Sequence, residues 1–169
     1  MSFWRNYYHI TWATKNRLPL ILPDFEARLY AYMVKKAAEA GAFVYEINGM
    51  QEHVHLVTAI PPRESVAGVV KLVKGASAHY VNHVIRPDLH FVWQRGYGCL
   101  TVGEKQRHIA ENYVRDQKQH HAEGAINGWL ERYAEEDEGP ADATGQTDID
   151  EKFVRDAPGT YEALGEFPF

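Results

Sequence analysis

The chain has 169 residues, of which 45% are hydrophobic, enough for one domain with a sizeable core, and its net charge is −5. No apolar run approaches the ~18 residues of a membrane span, and the opening Met1-Ser2-Phe3-Trp4-Arg5-Asn6 lacks the apolar stretch of a secretory signal. Cys99 is the single cysteine, which excludes an internal disulfide and a cysteine-built zinc site, and a cytoplasmic location is expected.

The first predicted element is a strand, because Tyr7-Tyr8-His9-Ile10-Thr11-Trp12-Ala13-Thr14 is aromatic and β-branched. Pro19 and Pro23 punctuate the loop behind it. From Asp24, a plausible N-cap, apolar residues recur at helical spacing through Phe25, Leu29, Met33 and Ala37 until Gly41 stops the helix. Phe43–Ile47 reads as a second strand, Asn48-Gly49 as a turn, and His53–Ile60 as a third strand closed by Pro61-Pro62. A second helix runs from Ser65 to about Val84, with Val66, Val69, Val70, Val73 and Tyr80 on its apolar side. Leu89–Trp93 and Gly98–Val102 are two further short strands, and a last helix spans about Glu104 to His121. The order is βαββαβ with an added strand and helix. It predicts an α+β fold of the ferredoxin-like split βαβ type, an antiparallel sheet with helices packed on one face.

The chain divides by charge. Residues 1–130 hold 15 Lys and Arg against 11 Asp and Glu, a balance of +4, whereas residues 131–169 hold 3 against 12, a balance of −9. Such asymmetry suits a polyanion-binding body with an acidic appendage, although an ordinary solvated tail has the same composition. The expected organisation is a domain over 1–128 and an acidic tail over 129–169. In the tail a short helix is possible over Trp129–Glu136, and a flexible linker is expected at Glu135–Asp142. Phe153, Tyr161, Leu164, Phe167 and Phe169 are available to dock the end on the body.

Two segments carry chemistry. Side chains alternate across a strand, so His53 and His55 share a face and can chelate one divalent ion if a third ligand arrives from elsewhere. The plain alternative is a pair of hydrogen-bonded strand histidines. Tyr113 and Gln117, at i and i+4, are neighbours on one face of the last helix, with His121 one turn further along. Gln117 can offer a carbonyl oxygen to a hard cation and Tyr113 a phenol. Alone, they read as an apolar-face aromatic and a solvated glutamine.

Taken together, Gly49-Met50-Gln51-Glu52-His53-Val54-His55-Leu56-Val57, Trp93-Gln94-Arg95-Gly96-Tyr97-Gly98 and Tyr113-Val114-Arg115-Asp116-Gln117-Lys118-Gln119-His120-His121 resemble the single-tyrosine HUH transposases. These are small insertion-sequence transposases acting on single-stranded DNA, with relatives among the REP-associated tyrosine transposases. The likeness covers roughly residues 5–122, and Tyr8–Arg17 is also similar to the family's first strand and following loop. Leu100 and Gly103 depart from it, standing where relatives often have an aromatic residue and a serine.

The resemblance implies that His53, His55 and Gln117 hold Mg²⁺ or Mn²⁺ and that Tyr113 attacks the scissile phosphate, leaving a 5′-phosphotyrosine and a free 3′-OH. It implies no nucleotide cofactor, since the covalent link conserves the bond energy for rejoining. His120 or His121 are candidates to assist loss of the phenol proton. The implied partners are single-stranded DNA ends bearing hairpins and a second copy of the chain, with no membrane. Candidate DNA contacts are Lys15, Arg17, Lys71, Lys74, Arg95, Arg115 and Lys118, and Trp12, Trp93 and Tyr97 are candidates for base stacking. Two other readings share the same residues: a domesticated hairpin-DNA-binding or nicking protein that mobilises no element, and a ferredoxin-like metal protein unrelated to DNA.

Overall fold

Four strands, β1 (Tyr7–Ala13), β2 (Phe43–Gly49), β3 (His53–Ala59) and β4 (Gly98–Val102), form one antiparallel sheet in the order β2-β3-β1-β4. The computed structural model describes residues 3–125, 127, 128 and 130–133. By its contacts the chain separates into two compact units, Met1–Glu136 and Asp137–Phe169, and every described residue lies in the first. The expectations placed on Trp129, on residues 134–136, on the linker and on the final aromatic residues lie outside the described residues.

The alternation of β1 and β3 builds the molecule's two sides. Ile10 and Trp12 of β1, with Val54 and Leu56 of β3, point to the side where α1 (Glu26–Glu39) and α2 (Val66–Tyr80) pack. There Phe25, Leu29, Met33, Ala37, Val69, Val70 and Val73 close the main core, every one of them buried. Burying a side chain of this kind contributes about 1.5–3 kcal/mol, so this layer dominates the stability of the body. Thr11, His53 and His55 face the opposite side, with His9 and Tyr7 in the same alternation. Ser65 caps α2 by accepting from the Gly68 amide at 3.0 Å. Gly41 ends α1 in the left-handed region at φ +77°, as its position in the sequence requires.

Three expectations change in detail. Leu89–Trp93 makes a single bridge, Trp93 to Thr14, rather than an added strand. Its backbone is claimed by a side chain: the Asn82 amide both accepts from the Phe91 N–H and donates to the Phe91 carbonyl, each at 2.8 Å. Asn48-Gly49 lies at the end of β2 and the reversal falls at residues 50–52. Gly49 is required by close approach, because a β-carbon there would lie 2.2 Å from the His53 carbonyl oxygen. The last helix is two helices, α3 (Arg107–Arg115) and α4 (Gln117–Glu123), broken at Asp116 (φ −92°, ψ 16°). Among the described residues no helix is long and apolar enough to cross a membrane.

A register shift in β2 serves the second side. Val44 pairs with Thr58 and Glu46 with Val57, leaving Tyr45 as an extra residue. The extra residue lets both Val44 and Ile47 pack on the core while Glu46 turns to α3. There the Arg115 guanidinium donates to Glu46 at 3.0 Å, and the Asn48 side chain donates to the Arg115 carbonyl at 2.8 Å. These bonds seat α3 on the sheet beside the histidine pair.

Candidate active site

His53 and His55 stand side by side on β3, both essentially without solvent exposure, their rings edge-on with centroids 4.9 Å apart. Each imidazole is oriented through its Nδ1. For His53 that atom lies 3.0 Å from the Glu52 carboxylate and 3.4 Å from the Arg17 guanidinium. For His55 it lies 3.0 Å from Nε2 of His9 on the neighbouring strand. When Nε2 of His55 faces a cation, its Nδ1–H donates to His9, so that β1 sets the tautomer of a β3 residue.

Burial dictates the electrostatics. It pushes His53 down to about 4, helped by the neighbouring His55 and opposed by the carboxylates of Glu131 and Glu52. Burial, again with His55, lowers His9 to about 3. Both therefore stand neutral at physiological pH, the form that ligates metals.

Tyr113 on α3 and Gln117 at the start of α4 converge on the same spot despite the helix break. The Tyr113 hydroxyl donates to Glu131 at 2.8 Å, and the Gln117 amide donates to the same carboxylate oxygen at 2.6 Å. The other oxygen of Glu131 lies 3.2 Å from His53 Nε2 and 3.1 Å from His55 Nε2. Burial raises the Glu131 carboxyl, but the bonds from His55, Tyr113 and Gln117 prevail and hold it well below the usual carboxylate range. Burial pushes the Tyr113 phenol up to about 12; the Asn127 amide, donating to its oxygen at 3.2 Å, works the other way, and Glu131 adds to the rise.

The expected proton-transfer residues are close by. His120 stacks on Tyr113 with centroids 5.0 Å apart, and His121 lies 4.9 Å from His53 and 3.8 Å from Glu131. The fit to a divalent cation rests on what is left over. Among the described residues Gln117 Oε1 is buried without a hydrogen-bond partner, and His53 Nε2 and His121 Nε2 face the Glu131 carboxylate at 3.2 and 3.8 Å without forming a hydrogen bond. Two neutral imidazoles, an amide and a carboxylate form a donor set suited to such an ion.

The candidate DNA contacts fall into two groups. Arg17 lies beneath the site, on Glu52, His53 and Tyr133, with Asn16 and Arg17 both held at positive φ (56° and 53°). Arg115 pairs with Glu46 and Lys118 with Glu26. Lys71, Lys74, Arg95 and Tyr97 instead line a concavity of about 350 Å³ between α2 and the segment before β4. Within it the Lys74 ammonium donates to the Gln94 and Gly96 carbonyls at 2.7 and 2.6 Å, and burial lowers it to about 8. Lys15 is exposed. Trp12 and Trp93 are buried, edge to face at 6.0 Å, and form core rather than stacking platforms.

Three contributors escape a reading of the sequence. His9 carries a signal only once β1 and β3 are paired antiparallel, which sets it diagonally across from His55. Glu52 is adjacent to His53 yet reads as a turn residue. Glu131 reads as the first acid of the tail, with no motif or spacing to single it out.

Comparison with known proteins bears on the same residues. The family described as "Transposase IS200 like" matches residues 2–117, which include both histidines, Tyr113 and Gln117. The ISDra2 transposase TnpA of Deinococcus radiodurans is 30% identical over 116 residues, covering 65% of this chain and 82% of that protein. The transposase for insertion sequence element IS200 of Salmonella typhimurium is 27% identical over 120 residues, covering 68% and 78%. Among solved structures, a candidate transposase from Deinococcus radiodurans superposes with a TM-score of 0.55 at 26% identity, over 69% of this chain and 95% of that one. A REP-associated tyrosine transposase bound to a REP hairpin shares the fold, with a TM-score of 0.56 at 17% identity over 76% of each chain.

Proposed function

Because this chain belongs to the IS200-like transposase family, we propose that it cleaves and rejoins single-stranded DNA through a covalent bond to Tyr113, assisted by a divalent cation. The observation that carries this reading is the convergence of Tyr113, Gln117, His53 and His55 on one buried point, since a Tyr113 oxygen and two histidine nitrogens all reach the same carboxylate. His53 and His55, with Gln117 through its unpartnered Oε1, would hold Mg²⁺ or Mn²⁺. The bound ion would supply Lewis-acid polarisation of the scissile phosphate.

The remaining chemistry belongs to the chain. The Tyr113 oxygen attacks phosphorus, the bond to the 3′ oxygen breaks, and the 3′ oxygen leaves as a hydroxyl after taking up a proton. The 5′-phosphotyrosine so formed keeps the bond energy, and a DNA 3′-OH attacking it restores a phosphodiester and frees Tyr113. No nucleotide cofactor is needed. A phenol held up near 12 surrenders its proton only with help, a role we assign to His120, stacked on its ring, or to His121, 3.8 Å from the carboxylate that accepts from Tyr113.

Hairpin-bearing DNA ends are the substrate class we assign, acted on in the cytoplasm by a homodimer; a protein of the same fold is bound to a REP hairpin. The cationic concavity of Lys71, Lys74 and Arg95 is the surface we assign to the DNA backbone.

The test is incubation of labelled single-stranded hairpin DNA with the protein and Mn²⁺. Wild type is expected to give a protein–DNA adduct stable to denaturation, and Tyr113→Phe none. Equal cleavage by the two proteins would remove Tyr113 from its role.

A further inference from the structure

The side chain at the centre of the site comes from neither of its motifs. Glu131 sits on the short segment 130–133, which leaves the Asn127 carbonyl through turn hydrogen bonds from the Leu130 and Glu131 amides. Two more contacts seat this segment. The Arg132 carbonyl lies directly over Gly98, where a β-carbon would come within 1.9 Å of it, and the Tyr133 hydroxyl accepts from Arg17 at 3.4 Å. Glu131 is thus delivered to the histidine pair by a fixed path, and its side chain is 14% exposed.

We infer that Glu131 is a ligand of the divalent cation, making a two-histidine, one-carboxylate set with His53 and His55, while its other oxygen fixes the hydroxyl of Tyr113. The inference rests on the metal-dependent reading above and adds a residue to it. One donor atom from each of the three side chains lies within 4.8 Å of the other two. The carboxylate oxygen stands 3.2 and 3.1 Å from the two Nε2 atoms. Adjacent donors around a hard divalent ion with bonds near 2.1–2.2 Å are spaced by about 3 Å, so little movement is asked of them. The set also meets the ion's charge: His53, His55 and Gln117 are neutral donors, and Glu131 supplies the anion that Mg²⁺ and Mn²⁺ favour.

Gln117 then has a second task. Its amide N–H already holds the Glu131 oxygen that faces Tyr113, so it orients the carboxylate while its Oε1 stays available to the ion. One carboxylate thereby fixes the distance between the bound cation and the nucleophile.

The experiment is calorimetric titration of Mn²⁺ into EDTA-treated full-length protein without DNA, comparing wild type, His55→Ala, Glu131→Gln and Glu131→Asp. Thermal melts in EDTA check that each variant is folded. Glu131→Gln is expected to bind Mn²⁺ at least ~10-fold more weakly than wild type, with Glu131→Asp between the two. Equal or tighter binding by both Glu131 variants would overturn the assignment while leaving the histidine site intact. Absence of Mn²⁺ binding in wild type would overturn this inference together with the metal-dependent reading. Loss in His55→Ala with affinity unchanged in both Glu131 variants would overturn this inference alone.

Discussion

His9 holds the inner nitrogen of His55 from a neighbouring strand at 3.0 Å. Removing it leaves a buried imidazole N–H unpaired, at a cost of about 1–3 kcal/mol. His9→Ala is therefore expected to lower stability by that amount and to weaken Mn²⁺ binding, and His9→Gln, which can still accept, to recover most of both. Thermal melts and Mn²⁺ titration are the measurements. The same burial predicts an acid sensitivity. His9 and His53 titrate in the fold at about 3 and 4, below the ~6.5 of a free imidazole. A base whose pKa is lowered on folding contributes fully above its unfolded value and loses that contribution as the pH falls. The contribution of these two histidines should thus be flat above about pH 6.5 and decline toward pH 4, by at most about 1.4 kcal/mol per unit for each histidine. A pH series of denaturant unfolding curves would read this, and His9→Gln should flatten it. The histidine pair was legible in the sequence because alternation alone puts positions 53 and 55 on one face. The partners were not, since His9 and Glu131 lie 46 and 76 positions from His55 and no local pattern joins them.

At the scale of elements, the seat of residues 130–133 depends on a missing side chain. Gly98→Ala would set its β-carbon against the backbone oxygen of Arg132, and backbone cannot swing aside as a flexible side chain can. The segment must lift, carrying Glu131 away from the histidines. Gly98→Ala is expected to weaken Mn²⁺ binding in the same direction as Glu131→Gln, with a stability change of about 1–2 kcal/mol; unchanged affinity would show that the segment is not positioned this way. Most elements were readable from pattern because each has a local cause: β-branched runs for β1 and β3, helical apolar spacing for α1 and α2, and Gly41 as a stop. The exceptions have non-local causes. Asn82 claims the backbone of Phe91 from another element, and the extra residue in β2 appears only when that strand is laid against β3. The break at Asp116 sits inside a stretch whose spacing reads as one helix.

For the whole molecule, the charge separation seen in the sequence can be placed on the two units. Residues 1–136 carry a balance of +2 and residues 137–169 one of −7. A chain ending at Glu136 retains every residue of the site and changes the net charge from −5 to +2. It is expected to bind single-stranded DNA more tightly than the full chain at low ionic strength, the difference shrinking as salt screens it. Affinity measured across a salt series would check this, and a gap that persists at high salt would rule out a purely electrostatic origin.

The interruption at Asp116 governs how such a site fails. Arg115 and Asn48 tie α3, and with it Tyr113, to the edge strand β2, whereas Lys118 ties α4 to Glu26 of α1. The Tyr113 hydroxyl and the Gln117 amide thus each take one tie from a different element, like two tools with separate clamps. Loosening the β2 ties is expected to act first on the hydroxyl, and loosening the Lys118 tie first on the amide. On the proposed mechanism, covalent capture of DNA and ion occupancy are therefore expected to be separable losses, the first more sensitive to the β2 ties and the second to the tie from α1.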